Sequence, residues 1–131
     1  MLTLAAILFA CHFLADYTHL STLWMLKAKA RGTPIFPIFC HAAVHAVLMS
    51  FAIAIYFDII SFPYDVYHKT LYYYVIGLQL ISHTVIDVCK GLISRNPYFT
   101  NNMARPYWIL MGIDQLAHQS IILLMVYILY S

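Results

Sequence analysis

The sequence predicts an all-α protein: a four-helix transmembrane bundle with short loops and both termini on the extracytoplasmic side. Three observations carry this expectation. The 131-residue chain is 63% hydrophobic and only 9% charged, whereas soluble domains run near a quarter charged. So few charges cannot cover the surface of a water-soluble fold. The apolar residues gather into four segments, each close to the roughly 20 residues a helix needs to cross a bilayer. Each segment also carries, in its interior, two polar residues spaced i, i+4.

The first segment runs over residues 2–26 and contains His12 and Asp16. A secretory signal would begin with basic residues and keep its apolar run free of charge. Neither holds here, so the segment reads as a retained helix. The second runs over 38–60 with His41 and His45, the third over 71–93 with His83 and Asp87, and the fourth over 107–130 with Asp114 and His118. Pro and Gly punctuate the connections (Gly32, Pro34 and Pro37; Pro63; Pro97 and Pro106), as helix ends require. Connections this short make neighbouring helices antiparallel, and the length suits one domain over residues 1–131.

Basic residues set the orientation. Lys27, Lys29 and Arg31 lie in the first connection, Arg95 and Arg105 in the third, with Lys90 close by. The second connection has Lys69 beside Asp58 and Asp65, and His68 reads as a loop residue there. The first and third connections should therefore face the cytoplasm, which leaves both termini outside, in the periplasm if the membrane is the inner one of a Gram-negative cell. Trp24, Tyr107 and Trp108 fall at that boundary, and Tyr56, Tyr64, Tyr67, Tyr72, Tyr73, Tyr127 and Tyr130 near the opposite one, as an aromatic belt does. The formal charge of +2 gives no field to steer nucleic acid. Cys11, Cys40 and Cys89 have no paired spacing and read as small apolar fillers.

An i, i+4 pair places both side chains on one helix face, one turn apart. Counted from the expected cytoplasmic ends, Asp16, Asp87 and Asp114 lie roughly 10–15 Å deep at the helical rise. His12, His83 and His118 lie one turn deeper. The first and third segments read His then Asp and the fourth reads Asp then His, so reversing the helix direction keeps like residues at like depth. His41 and His45 supply a shallow and a deeper member from the second segment. Four inward pairs would form two stacked polar layers.

An Asp at the centre of a membrane helix costs about 2.5–3.5 kcal/mol on insertion scales. Three of them need compensation, and burial makes protonated imidazole a poor source of it. A divalent metal takes neutral imidazole and ionised carboxylate together. His12, Asp16, His41, His45, His83, Asp87, Asp114 and His118 are the candidate ligands, enough for one or two ions, with zinc expected and manganese or iron also compatible. Asp16, Asp87 or Asp114 could be left free as a catalytic base. Lys90, Gln115 and Lys27 are candidates for holding an anionic group such as a phosphate, although positive-inside anchoring also accounts for Lys27, Lys29 and Arg31. His19 is a peripheral ligand candidate. Hydrogen bonding that merely holds a bundle together and a proton or ion path are the competing explanations. Bis-histidine haem fits poorly beside aspartates.

These residues resemble a bacterial and phage membrane family filed as domain of unknown function 3307. The shared pattern is His12-x-x-x-Asp16, Trp24-Met25 with Lys27 after it, His41-x-x-x-His45, Ser82-His83-x-x-x-Asp87-x-x-Lys90 and Asp114-Gln115-x-x-His118. Leu20 departs from it, where the family often has Gln. The resemblance covers nearly the whole chain and implies an integral membrane protein. The His/Asp pairs are also similar in style to those of membrane-bound metal-dependent hydrolases. The expected function is therefore a metal-dependent hydrolase acting on a lipid or phosphorylated substrate, with membrane lipid and a homo-oligomer as partners. A metal or proton transporter, and a non-enzymatic membrane factor with a structural metal, are the alternatives.

Overall fold

The structure, a computed structural model, describes residues 1–59 and 66–131. It is all-α among them: α1 (Leu2–Tyr17), α2 (Leu23–Arg31), α3 (Ile35–Ile59), α4 (Val66–Ile93) and α5 (Arg105–Tyr130), with a 3-10 turn at Pro97–Phe99. The expected second connection, with Phe62, Pro63, Tyr64 and Asp65, lies outside the described residues.

Three of the helices are long and apolar enough to cross a membrane, over Ile35–Asp58, His68–Ile93 and Arg105–Tyr130. Each begins a little before the expected segment. Pro37 and Pro106 fall in the first turns of α3 and α5, where a missing N–H costs nothing. His68 lies in the first turn of α4 rather than in a loop.

The first segment is not one helix. At about 24 Å, 16 residues of α1 fall short of a bilayer core. The chain leaves the helix at Thr18, which takes an extended conformation (φ −117°, ψ −179°). The Ser21 hydroxyl donates to the Ala15 carbonyl at 2.6 Å, satisfying one of the groups freed at the helix end. Thr22 then caps α2 by accepting from the Met25 N–H. A run of Thr18, Ser21 and Thr22 competes for backbone hydrogen bonds, which hydropathy alone does not register.

α1, α3, α4 and α5 pack in a cycle, each against the next and α5 back onto α1, while α2 lies across α3 and α4. One half of this bundle is apolar inside, with Leu4, Leu8, Met49, Ile53, Val75, Ile122 and Met125 fully buried. The other half buries the polar residues. The outside is apolar: Phe51, Ile81, Val85, Leu116 and Leu123 are all exposed. Burying His and Asp while exposing Leu and Ile is compatible with a surrounding of lipid.

α2 is held against α4 by backbone contact. A Cβ on Gly91 would overlap the Gly32 backbone and come within 2.5 Å of the Lys29 carbonyl. Gly32 ends α2 at φ +69°, a left-handed conformation that glycine adopts without strain. Arg95 adds a clamp, donating to the Arg31 carbonyl at 2.8 Å and to the Thr33 hydroxyl at 2.6 Å.

Candidate metal centre

One histidine from each helix of the cycle forms the deeper layer. Ring centroids are 4.8 Å apart for His12–His45, 3.9 Å for His45–His83, 4.2 Å for His83–His118 and 5.1 Å for His118–His12. The shallower layer holds Asp16, His41, Asp87 and Asp114. His41 Nε2 lies 3.1 Å from Asp16 Oδ1 and 3.6 Å from Asp87 Oδ2. Between the layers, His45 Nε2 is 3.3 Å from Asp16 Oδ1, His83 Nε2 is 3.3 Å from Asp87 Oδ2, and His118 Nε2 is 3.7 Å from Asp87 Oδ1.

Among the described residues, two groups could hold a metal ion: Asp16, His41, His45 and His83, and a second of His83, Asp87 and His118. Within each, the donor atoms all lie within 4.8 Å of one another. The groups share His83. His12 and Asp114 belong to neither, although both are buried beside them.

The polar atoms at the centre are short of partners. Both ring nitrogens of His12 and of His45, Nε2 of His83 and of His118, both oxygens of Asp87 and Oδ1 of Asp114 are buried without a hydrogen bond. Buried polar groups are ordinarily hydrogen-bonded, so these donor atoms are available to an ion.

The outward nitrogens are better provided. His118 Nδ1 lies 2.8 Å from the Asp114 carbonyl, to which it can only donate, leaving Nε2 as a lone pair facing inward. The Ser21 hydroxyl spends its proton on Ala15, so it accepts from His41 Nδ1 at 2.8 Å, and His41 Nε2 likewise carries a lone pair. Gln79 stands 3.3 Å from His83 Nδ1. A partner on one imidazole nitrogen that fixes the other as a ligand is the usual second layer of a metal site. With His41 neutral, its Nε2 and Asp16 Oδ1 face each other as two acceptors 3.1 Å apart, an arrangement that a cation bound to both relieves.

That cation position is contested by Lys29. Its ammonium is 2.7 Å from Asp16 Oδ1, 3.4 Å from Asp87 Oδ1 and 3.1 Å from His41 Nε2. Only 8% of the residue is exposed. Burial disfavours its charge, but the carboxylates of Asp87 and Asp16 outweigh that and raise its pKa above the ordinary lysine value. Lys29 had every appearance of a boundary anchor in sequence. It enters the site because α1 stops at Tyr17 and α2 folds back.

A cavity of about 190 Å³ opens beside the centre, lined by Asp16, Lys29, Lys90, Asp114 and Gln115 among others. Lys90 and Gln115 thus stand where an anion could meet them. Lys27 does not. It is exposed and lines a separate groove with Trp24, Arg31, Pro34 and Pro37. His19 is exposed in the turn between α1 and α2. Ser82 and Thr84 donate to the carbonyls of Leu78 and Leu80, inside their own helix. The three cysteines are free.

Lys29, Ser21 and Gln79 are the site residues that sequence reasoning missed. Gln79 had a signal: with His83 and Asp87 it continues the i, i+4 spacing on one face of α4. Ser21 and Thr22 had one as a helix-start pair.

This constellation spans the chain from α1 to α5, and so does one family. Residues 4–131 match the model of a family described as protein of unknown function, DUF3307. The chain belongs to this family. No curated protein and no solved structure matches it. The looser likeness to membrane-bound metal-dependent hydrolases finds no support in these comparisons. What the DUF3307 chain can do therefore follows from the chemistry of its centre.

Proposed function

We propose that this protein is a four-helix transmembrane bundle in a bacterial inner membrane, with α1 as its shortest span and both termini outside. Within it the His/Asp centre binds one or two divalent ions, zinc foremost, and catalyses hydrolysis of a lipid or phosphorylated substrate. The observation that carries this reading is the pair of ligand groups, Asp16–His41–His45–His83 and His83–Asp87–His118, whose buried donor atoms are largely without a hydrogen bond. Charge supports it. With the three carboxylates ionised and the imidazoles neutral, the single buried ammonium of Lys29 leaves a formal charge of −2, which one divalent ion cancels.

A bound ion supplies Lewis acidity and makes water nucleophilic at neutral pH. Asp114 lies outside both ligand groups and lines the cavity, which suits it to take the proton of the attacking water. The water oxygen bonds to the phosphorus or acyl carbon, the bond to the leaving oxygen breaks, and the proton passes to that oxygen. Lys90 and Gln115 hold the anionic part of the substrate.

Metal content measured by elemental mass spectrometry on detergent-purified protein tests the centre. Near-stoichiometric zinc, manganese or iron is expected, lost in His83→Ala and Asp87→Ala. Release of phosphate or fatty acid from lipid substrates by the wild type, absent in both variants, tests hydrolysis.

One observation favours a second reading. Lys29 compensates Asp16 and Asp87 without any metal, as a proton path or a hydrogen-bonded structural core would require. That reading expects no bound metal and, for a path, proton flux across liposomes.

A further inference from the structure

The polar cavity has an apolar neighbour. A groove of about 240 Å³ runs between α4 and α5, walled by Val85 and Cys89 on one side and Ile113 and Ala117 on the other. Lys90 and Asp114 line both this groove and the polar cavity. Two spaces of opposite character therefore meet at the same two side chains. The groove opens on the outer face of the bundle, where Val85 and Ile113 are exposed and lipid tails would lie.

We propose that cavity and groove together bind a single anionic membrane lipid with a small phosphate headgroup, which enters sideways between α4 and α5. The phosphate occupies the polar cavity, paired with the ammonium of Lys90 and reached by Gln115, while Lys29 stays with Asp16 and Asp87. One acyl chain lies in the groove. At about 30 Å³ per water, the cavity has room for roughly six waters, enough for a phosphoryl group and the first carbons of its alcohol but not for a large headgroup. Charge complementarity selects the occupant: of the two charged side chains where groove and cavity meet, Asp114 is turned to Gln115 and His118, whereas Lys90 has no carboxylate within ion-pair distance among the described residues, and an apolar groove that ends on such a lysine suits a chain that ends in an anion. A soluble phosphate would fill the cavity and leave the groove without a purpose. That this lipid is a substrate rests on the hydrolytic reading above, whereas its binding does not.

The test is a titration of delipidated, detergent-solubilised protein, read by native mass spectrometry. The probes are dioleoyl phosphatidic acid, dioleoyl phosphatidylcholine and glycerol 3-phosphate. Phosphatidic acid should bind at least about tenfold more tightly than either of the others, since the choline cation neutralises and crowds the phosphate of phosphatidylcholine and glycerol 3-phosphate has no acyl chain. Ala117→Trp and Cys89→Trp fill the groove from opposite walls, and each should weaken phosphatidic acid binding about tenfold. Lys90→Gln should abolish the preference over phosphatidylcholine. Glycerol 3-phosphate binding as tightly as phosphatidic acid would overturn the proposal, as would undiminished lipid binding in both tryptophan variants. A Cys89–Cys89 cross-link between copies at this groove would assign it to a second protomer and also overturn it. Metal content is read on the same samples. Its absence would remove the hydrolytic reading while the titration still decides the lipid site.

Discussion

Lys29 and Ser21 carry the two tests that belong to single residues. Lys29 is the one buried ammonium between two carboxylates. Removing one partner of such a buried set costs about 3–5 kcal/mol, because the remaining charges stay uncompensated. Lys29→Met should therefore lower thermal stability strongly in chelator, and added zinc should restore much of it by taking over the compensation. An unchanged melting temperature in chelator would mean that the ammonium is not the counter-charge. Ser21 acts on the centre through His41 Nδ1. Ser21→Ala frees that ring, and metal affinity should fall about 10–100-fold, as for other residues that orient a ligand. Competition with a chromogenic chelator reads this directly, and an unaltered affinity would separate His41 from the metal.

At the level of elements, α2 decides the chemistry of the site. It is only nine residues long, too short to be stable alone, and it is fixed by the Gly32–Gly91 approach and the Arg95 clamp. Gly91→Ala should force α2 away from α4, cost about 1–3 kcal/mol and withdraw Lys29 from Asp16. Gly77, in the same helix, has open space where an added Cβ would stand, with nothing within 4 Å, so Gly77→Ala should be neutral or slightly stabilising. Thermal melts of the two variants side by side check this. Equal behaviour would show that the close approach does not hold α2.

For the whole molecule the question is the solvent. The buried half-layers of His and Asp and the exposed Ile and Leu define an inside and an outside suited to a bilayer. Ile81 is 67% exposed near the middle of α4, and Ile81→Arg should cost about 2.5–3.5 kcal/mol of insertion free energy. Fractionation should show the variant depleted from the membrane fraction relative to the wild type. Reporter fusions should place both termini outside, and a cytoplasmic C-terminus would invert the assignment of the cavity mouth.

Most of the site was legible in the sequence, since an i, i+4 pair needs only a helix to place its members together. Four such pairs, with their order reversed in the antiparallel member, were enough to anticipate that His12, His45, His83 and His118 share one layer. The sequence likewise determined that the fold is helical with membrane-length segments, because continuous apolar runs of about 20 residues match helices, whose backbone bonds close within the segment, and not the alternating pattern of a barrel strand. Tertiary structure alone decided the rest. The break at Thr18 depends on Ser21 finding both Ala15 and His41, a partner 20 residues away. The return of α2 depends on two glycines that meet only when α4 is in place. Through these contacts Lys29 changes from a boundary lysine into the charge at the centre of the site, because its role is set by which carboxylates surround it and not by its neighbours along the chain.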